Sequence, residues 1–172
     1  MIEKLKNQDF DAIYHLMETS FPSDEYRTYE EQKELLNNPV YSVYVWYNET
    51  QSINAFIAVW EFAEFAYIDH FVVNPKYRNG GIGTKALNEL VGMLDKTVCL
   101  EVEPPEGEMS CRRIGFYKRN KFFLNEYSYM QPPISKGKNA IPLFIMTSGG
   151  EVDEKTFEQI KTTLYTEVYK VI

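Results

Sequence analysis

Cysteine and histidine are scarce in this sequence, with two residues of each type among 172. Cys99 and Cys111 do not have the spacing of metal ligands, and such low cysteine usage is typical of proteins that stay reduced in the cytosol. The histidines and acidic residues do not form a metal-binding pattern either. We therefore expect a cytoplasmic protein that has no disulfide and no metal.

Long apolar runs are also absent. No stretch approaches the roughly 18 to 20 consecutive apolar residues that a membrane-spanning helix needs. The first residues, Met1 to Lys6, lack the apolar core of an export signal. The sequence therefore predicts no membrane partner and no export.

Basic residues are outnumbered by acidic ones. The chain has 18 lysines and arginines against 25 aspartates and glutamates, which gives a formal net charge of −7 at pH 7. Nucleic-acid binding usually requires a basic surface, so nucleic acid is not expected as a partner. An acidic protein instead suits a cationic partner such as an amine.

Aromatic residues, in contrast, are plentiful at 15% of the chain, and 44% of the residues are hydrophobic. Such a composition is typical of a folded globular protein rather than a disordered one. At this length the sequence predicts a single domain, residues 1–172, with a sizeable core.

The most informative stretch has the pattern of a strand, a glycine-rich turn and a helix. Ala66 to Val73 is apolar and β-branched enough for a buried strand, and Pro75 ends it. From Ile82 onward the apolar residues recur at helical spacing. The glycines in between allow φ > 0 and let backbone N–H groups approach a ligand closely. Together with the positive end of the helix dipole, they predict a seat for phosphate or pyrophosphate.

Three interpretations of this turn compete. A plain strand-to-helix connection needs fewer glycines than are present. A dinucleotide fingerprint, G-x-G-x-x-A, fits Gly81 to Ala86, with Glu101 about 20 residues further on as a ribose-binding acid. However, the polar stretch from Asn74 to Arg78 separates strand from turn, and the preceding strands have antiparallel patterns, which disfavours a Rossmann unit.

The third interpretation is a family resemblance. Arg78 to Gly83 resembles the acyl-CoA loop of the GNAT N-acetyltransferase superfamily, Arg/Gln-x-x-Gly-x-Gly/Ala, at every fixed position. The preceding run from Val73 to Arg78 is similar to the superfamily as well. Leu100 to Glu103 adds a Leu-Glu-Val match, which alanine and lysine N-acetyltransferases often carry.

Gly115 to Phe122 resembles the end of a second superfamily motif, which lies on the CoA side of the fold. Tyr117 stands at the position of the tyrosine of that motif. Lys121 stands where glycine is usual. We therefore expect that helix to close through Asn120 in the left-handed region.

The resemblance implies an α/β (α+β) fold with a mixed, mostly antiparallel central sheet flanked by helices. Its acyl-CoA unit would be the strand, glycine turn, helix and strand described above, with the second strand parallel to the first. Periodicity and turn residues predict the remaining elements. The predicted strands are Ile2 to Leu5, Val40 to Tyr47, Ile53 to Phe62, Thr97 to Glu103, Phe122 to Tyr129 and Ile141 to Thr147, and the predicted helices begin at Asp9, Thr28, Ile82, Ser110 and Glu151.

The activity that the resemblance implies is N-acetylation of an amine, with acetyl-CoA as acyl donor. Transfer would be direct, through a ternary complex, because no cysteine or serine nucleophile is indicated. Glu101 is the expected base, with Glu103 and Asp69 as rivals, and Tyr117 is the expected acid for the leaving thiolate. The expected acetyl-CoA contacts are Phe71, Val72, Val73, Arg78, Asn79, Gly80, Gly81, Ile82, Gly83, Thr84 and Tyr117.

The acceptor amine has no signature in the sequence. Specificity is expected in Phe21 to Arg27, where Glu25 to Arg27 are candidate contacts, in the hairpin strands Val40 to Tyr47 and Ile53 to Phe62, and in Tyr127 to Lys138. Polyamine, aminoglycoside, amino acid and protein amine all stay open, as do two other functions: a non-catalytic acyl-CoA sensor and a nucleotide-dependent oxidoreductase. The apolar stripe of Glu151 to Ile172 packs either on the domain or on a second copy, which leaves a homodimer open.

Overall fold

The structure, a computed structural model, describes residues 2–172. Its strands are β1 Ile2–Lys4, β2 Tyr41–Tyr47, β3 Ile53–Glu61, β4 Phe65–Val73, β5 Thr97–Val102, β6 Phe122–Gln131 and β7 Ile141–Ser148. Its helices are α1 Phe10–Ser20, α2 Tyr29–Glu34, α3 Ile82–Leu94, α4 Glu108–Arg119 and α5 Glu154–Thr163. The strands form a seven-stranded, mostly antiparallel sheet in the order β1-β2-β3-β4-β5-β7-β6, with flanking helices. The predicted fold class is confirmed.

The chain divides into two compact units. Unit 1 consists of residues 2–22 and 28–98, and unit 2 consists of Ser23–Arg27 and Cys99–Ile172. The single domain expected from the length stays a prediction. Within residues 2–172, no helix is both long enough and apolar enough to cross a membrane.

Unit 1 is built on an antiparallel meander of β1, β2, β3 and β4. Every residue from 55 to 60 in β3 is buried, as expected for a continuous apolar run. Helices α1 and α3 pack on the meander through apolar residues at helical spacing, Ile13 and Met17 on α1 and Leu87 and Leu90 on α3. The predicted hairpin and central strand therefore lie where the sequence pattern put them.

A β-bulge interrupts the pairing of β3 with β4. The register passes from Ala58 opposite His70 to Val59 opposite Ile68, so Asp69 is the extra residue on β4. A bulge kinks its strand and changes the direction of a side chain. Simple alternation along β4 therefore does not decide which face Asp69 occupies.

Unit 2 contains β7, β6 and residues 99–102 of β5, and these strands pair antiparallel in the order β5-β7-β6. Its C-terminal helix, α5, is extended by a π-helical turn, Leu164–Val168. The apolar stripe of this region, Phe157, Ile160, Leu164 and Val168, is buried within the chain. The stripe therefore offers no exposed face to a second copy.

Two helix ends differ from the predictions. Helix α4 has its N-cap at Gly107, whereas the sequence suggested Ser110. Ser110 lies inside the first turn, and its hydroxyl accepts a hydrogen bond from the backbone N–H of Gly107 at 3.1 Å. A serine can bond the helix start from either position, and the sequence does not distinguish them. The C-terminal helix begins after the N-cap Asp153 rather than at Glu151, because the Asp153 carboxylate accepts from Thr156 N–H.

The predicted left-handed residue at the end of α4 was also wrong. Lys121, with φ of 69°, takes the left-handed conformation, and Asn120 has φ of −101°. The Lys121 N–H donates to the Lys118 carbonyl, and the Lys121 carbonyl accepts from Gly149 N–H at 3.0 Å. These two backbone bonds hold the lysine in a conformation that normally favours glycine.

Candidate active site

The glycine turn of unit 1 starts from a fixed corner at the end of β4. The Asn74 side-chain amide donates to the Ile53 carbonyl at 2.9 Å, and its oxygen accepts from the Lys76 N–H at 3.1 Å. Pro75 then opens a short 3₁₀ turn that ends at Tyr77. The polar stretch between strand and glycines is therefore an ordered connection.

The turn itself presents open backbone. Asn79 and Gly81 have φ of 73° and 74°, so the chain passes twice through the left-handed region before α3. A Cβ added at Gly80 or Gly81 would meet no atom within 4 Å. No side chain of the described residues caps α3, whose N-cap is Gly81 and whose first turn carries N–H donors and the positive dipole end. An anionic group of the size of a diphosphate fits these features.

Side chains at the end of β4 adjoin this turn. Arg78 is exposed, and its Nε lies 3.5 Å from the Val73 carbonyl oxygen. Val72 is 4% exposed, whereas Phe71 and Val73 are half-buried. The structure thus places the predicted acetyl-CoA contacts of residues 71–84 on one connected strand, turn and helix of unit 1.

Asp69 lies at the bulge of β4 in unit 1. Its side chain is 1% exposed, and Trp60 Nε1 donates to its Oδ2 at 3.2 Å. His70, which is 2% exposed, has its Nδ1 3.7 Å from Asp69 Oδ1 and makes an edge contact with the Phe21 ring. No motif in the sequence singles out His70, which follows the bulge residue Asp69 on β4.

Glu101 is the centre of a hydrogen-bond network in unit 2. Its Oε2 accepts from the Tyr129 hydroxyl at 2.5 Å and from the Tyr169 hydroxyl at 2.9 Å. Its Oε1 accepts from the Tyr169 hydroxyl at 2.7 Å and from Gln131 Nε2 at 3.1 Å. Burial, followed by the charge of Glu101, raises the pKa of Tyr129 far above its usual value, so this phenol stays a donor. The sequence did not indicate these three donors, which lie 28 to 68 residues away from Glu101.

Tyr117 lies on α4 in unit 2. It is 8% exposed, and its ring makes edge contacts with Phe116 and Phe122. Burial raises the pKa of Tyr117 to about 12, with Arg113 acting in the opposite direction. The phenol is therefore protonated at neutral pH, as a proton or hydrogen-bond donor must be.

Two of the segments in which acceptor specificity is predicted are joined by hydrogen bonds in unit 2. Asn139 donates through its backbone N–H to Asp24 Oδ1 at 2.9 Å, and Lys138 Nζ donates to the Ser23 carbonyl at 2.5 Å. Lys138 Nζ also lies 4.8 Å from the centre of the Tyr26 ring. These contacts, across 115 residues of sequence, hold Ser23–Arg27 against the loop before β7.

Glu25 is half-buried in that segment. Burial, the Glu103 and Glu101 carboxylates of β5, and Asp24 raise the pKa of Glu25 to about 7, and Arg113 of α4 opposes them. Glu103 itself is exposed. Three glutamates thus lie close enough to influence one another in unit 2, although the sequence showed only that Glu101 and Glu103 share a strand.

No group of three or more His, Cys, Asp or Glu side chains within residues 2–172 is arranged to hold a metal ion. Cys99 is buried and Cys111 is exposed, and both are free thiols. Burial raises the pKa of Cys99 well above its usual value. Cys99 therefore lacks the thiolate character of a nucleophile.

Comparison with known proteins gives consistent results. A family model described as the acetyltransferase (GNAT) family matches residues 10–122. A Bacteroides thetaiotaomicron protein assigned to the GNAT acetyltransferase family shares 35% identity and a TM-score of 0.89, covering 100% of this chain and 99% of its own. The comparison with curated proteins gives no significant match.

Two other solved structures share the fold at lower identity. The ribosomal-protein-S18-alanine N-acetyltransferase from Escherichia coli has 19% identity and a TM-score of 0.66, covering 90% of this chain and 96% of its own. A spermidine N-acetyltransferase variant from Vibrio cholerae has 13% identity and a TM-score of 0.64, covering 86% and 91%. These likenesses concern the fold alone.

Proposed function

The chain belongs to the GNAT acetyltransferase family, and on that premise we propose that it transfers an acetyl group from acetyl-CoA directly to an amine through a ternary complex. The observation that carries this proposal is the glycine turn before α3, with open backbone at Gly80 and Gly81 and no side-chain cap. Acetyl-CoA supplies the activated acetyl thioester. Residues 78–84 of unit 1 would hold its diphosphate.

The other residues of unit 1 have supporting roles in this proposal. The backbone N–H groups of Val72 and Val73 would hold the pantetheine and the thioester oxygen, as the family resemblance implies. Phe71 would line the same end of β4. Backbone donors aimed at the oxygen would stabilise the negative charge that develops there.

The proton transfers are assigned to acidic and phenolic groups. An alkyl ammonium, with a pKa of about 10.4, must lose a proton before its nitrogen attacks. We assign this proton to the carboxylates around Glu101 in unit 2, with Asp69 in unit 1 as the alternative. Tyr117, whose hydroxyl is protonated at neutral pH, would donate to the departing thiolate.

The acceptor is an amine in this proposal. The two distant neighbours are named for N-acetylation of an alanine of ribosomal protein S18 and of spermidine, and N-acetylation takes place on an amine. The net charge of −7 suits a cationic acceptor. The reducing cytosol remains the expected compartment.

The double variant Gly81→Asp with Gly83→Asp tests the diphosphate seat. Two carboxylates at the start of α3 would repel a diphosphate, so acetyl-CoA affinity measured by calorimetry should fall at least about tenfold. Gly92→Asp, near the other end of the same helix, is the matched control and should leave affinity unchanged. Unchanged affinity in the double variant would refute the seat.

Tyr117→Phe tests the acid. Loss of the hydroxyl should lower kcat by about 10²-fold, the low end for general acid catalysis, while acetyl-CoA affinity stays the same. Undiminished turnover would remove the role of Tyr117. Binding of acetyl-CoA without thiol release for any amine would instead indicate a non-catalytic sensor.

A further inference from the structure

We propose that Glu25 is the catalytic base of this chain: it receives the acceptor ammonium and takes its proton, while Glu101 stays a fixed anion beside it. This inference rests on the proposed acetyltransferase function and identifies which carboxylate of unit 2 performs the proton transfer. Glu103, exposed on β5, provides a second negative charge for the incoming cation.

The hydrogen bonds of Glu101 leave it poorly suited to receive a proton. A carboxylate only accepts hydrogen bonds, and the two oxygens of Glu101 accept from three donors: Tyr129, Gln131 and the Tyr169 hydroxyl, whose single proton lies within reach of both oxygens. Donors to the charged form of a carboxylate favour that form. Glu101 therefore acts as a positioning residue whose charged form these three donors stabilise.

Glu25 has the opposite environment. It is half-buried, and its charged form is disfavoured by the carboxylates of Glu103 and Glu101 on β5 and of Asp24 on its own segment, while Arg113 on α4 favours it. A base is most effective when its pKa lies near the working pH, and the pKa of Glu25 is raised to about 7. Two carboxyl groups whose environments differ in this way divide the roles of base and fixed charge.

A buried acceptor in the same cluster indicates a ligand with N–H donors. Gln131 is 5% exposed, and its Nε2 is committed to Glu101. Its Oε1 has no hydrogen-bond partner among the described residues. If the Gln131 amide were turned round, its oxygen would lie against the Glu101 carboxylate oxygen. The atom without a partner is therefore the amide oxygen, which is an acceptor. An ammonium supplies the donor that this oxygen lacks.

The backbone around Glu25 is held in place. Asp24 accepts from Asn139, and Lys138 donates to Ser23 and lies over Tyr26. Arg27, on the other side, is 4% exposed. These contacts therefore fix the backbone from which the Glu25 side chain extends, and fixed geometry favours proton transfer.

The proton balance of the step is complete. The ammonium loses one proton to Glu25, and the nitrogen lone pair forms the C–N bond as the C–S bond of the thioester breaks. The second proton leaves the nitrogen, the thiolate is protonated, and Glu25 releases its proton to solvent. The sum is ammonium plus acetyl-CoA giving N-acetyl amine, CoA thiol and one H⁺.

The test is the pH dependence of kcat/KM, from pH 6 to 9.5, in a thiol-release assay. The amines are spermidine, kanamycin, L-lysine and an alanine hexapeptide with a free N-terminus, and the best acceptor of the wild type is used for all variants. The wild type should lose activity below about pH 7 as Glu25 is protonated. Glu25→Gln should lower kcat/KM about 10²-fold at pH 7 and abolish that inflection. The deficit should shrink towards pH 9.5, where more amine is already neutral.

Two further variants complete the design. Glu25→Asp should retain the inflection, and Glu126→Gln, which removes a charge from an exposed position of β6, should resemble the wild type. All variants should bind acetyl-CoA equally in calorimetry, since the glycine turn is untouched. If Glu25→Gln does not fold, the profiles of the wild type and Glu25→Asp decide the result.

An active wild type without an inflection near pH 7 would overturn the role of Glu25 and leave the acetyltransferase function standing. So would full activity of Glu25→Gln. A wild type that releases no thiol with any of the four amines would overturn both proposals.

Discussion

At the scale of single residues, one carboxylate, Glu101, accepts hydrogen bonds from three donors that lie far away along the chain. Tyr129 and Gln131 come from β6, and Tyr169 follows the π-helical turn after α5. Charge-assisted hydrogen bonds of this kind are stronger than neutral ones. The network therefore stabilises unit 2 as well as orienting Glu101.

Tyr129→Phe should destabilise the protein by about 1.5–3 kcal/mol, since it removes a buried donor from a charged acceptor. Tyr127→Phe is the matched control on the same strand. The Tyr127 hydroxyl donates at 3.0 Å to the neutral Val152 carbonyl, and its loss should cost only about 0.5–1.5 kcal/mol. Urea unfolding measures both variants, and equal losses would argue against a charged Glu101.

The raised pKa of Glu25 predicts how the stability of the protein depends on pH, and this prediction does not depend on activity. Its pKa is raised by burial and by neighbouring carboxylates, so the native state binds this proton more tightly than the unfolded state. Stability should therefore fall as the pH rises from about 4.5, the unfolded value, to about 7. The Glu25→Gln variant has no carboxyl group at this position, so it should not show this fall in stability.

As the pH rises from 5 to 8, the melting temperature of Glu25→Gln should therefore rise relative to that of the wild type. Glu126→Gln, exposed on β6, should follow the wild-type curve at both pH values. Parallel curves for Glu25→Gln and the wild type would mean that the native pKa of Glu25 is ordinary.

At the scale of elements, the end of α4 carries strain at Lys121. A side chain at φ of 69° costs about 1 kcal/mol relative to glycine, because Cβ crowds the backbone. Lys121→Gly should therefore raise the free energy of unfolding by about 0.5–1 kcal/mol. Lys118→Gly, inside α4, should lower it by about 1 kcal/mol. Chemical denaturation of both variants checks the contrast, and destabilisation by Lys121→Gly would contradict it.

Two tyrosines of the C-terminal region form hydrogen bonds with β5 and β6. The turn Leu164–Val168 is π-helical, and such turns often occur at functional sites. Tyr165 within it donates to the Met130 carbonyl, and Tyr169 just after it donates to Glu101. The extra residue of a π-helical turn changes the angle at which the following side chains project.

At the scale of the whole molecule, the net charge of −7 affects the rate at which a cationic acceptor encounters the protein. Opposite charges increase the rate of encounter, and salt screens that attraction. If an amine is acetylated, kcat/KM for trivalent spermidine should fall several-fold between 20 and 300 mM NaCl. Monovalent butylamine should show a much weaker dependence. Equal slopes would mean that the net charge has no role in acceptor capture.

The sequence by itself determined the order of the elements and the identity of the glycine turn. Both are local properties: β-branched runs, helical periodicity from Ile82, and glycines at 80, 81 and 83 that allow unusual backbone conformations. For the same reason, the hairpin and the stripe of the C-terminal helix agreed with the structure. The errors arose at helix ends such as Ser110 and Asn120, where neighbouring residues offer equivalent caps.

Only the tertiary structure decided which residues surround the carboxylates of unit 2. Tyr129, Gln131 and Tyr169 carry no motif, and their partner Glu101 lies 28 to 68 residues away. Likewise, the raised pKa of Glu25 arises from burial and from charges on β5 and α4 that the fold brings to it. Local sequence determines backbone conformation, because sterics and hydrogen bonding act between near neighbours. Burial and electrostatics depend on distances in space, so the proton chemistry becomes visible only after folding.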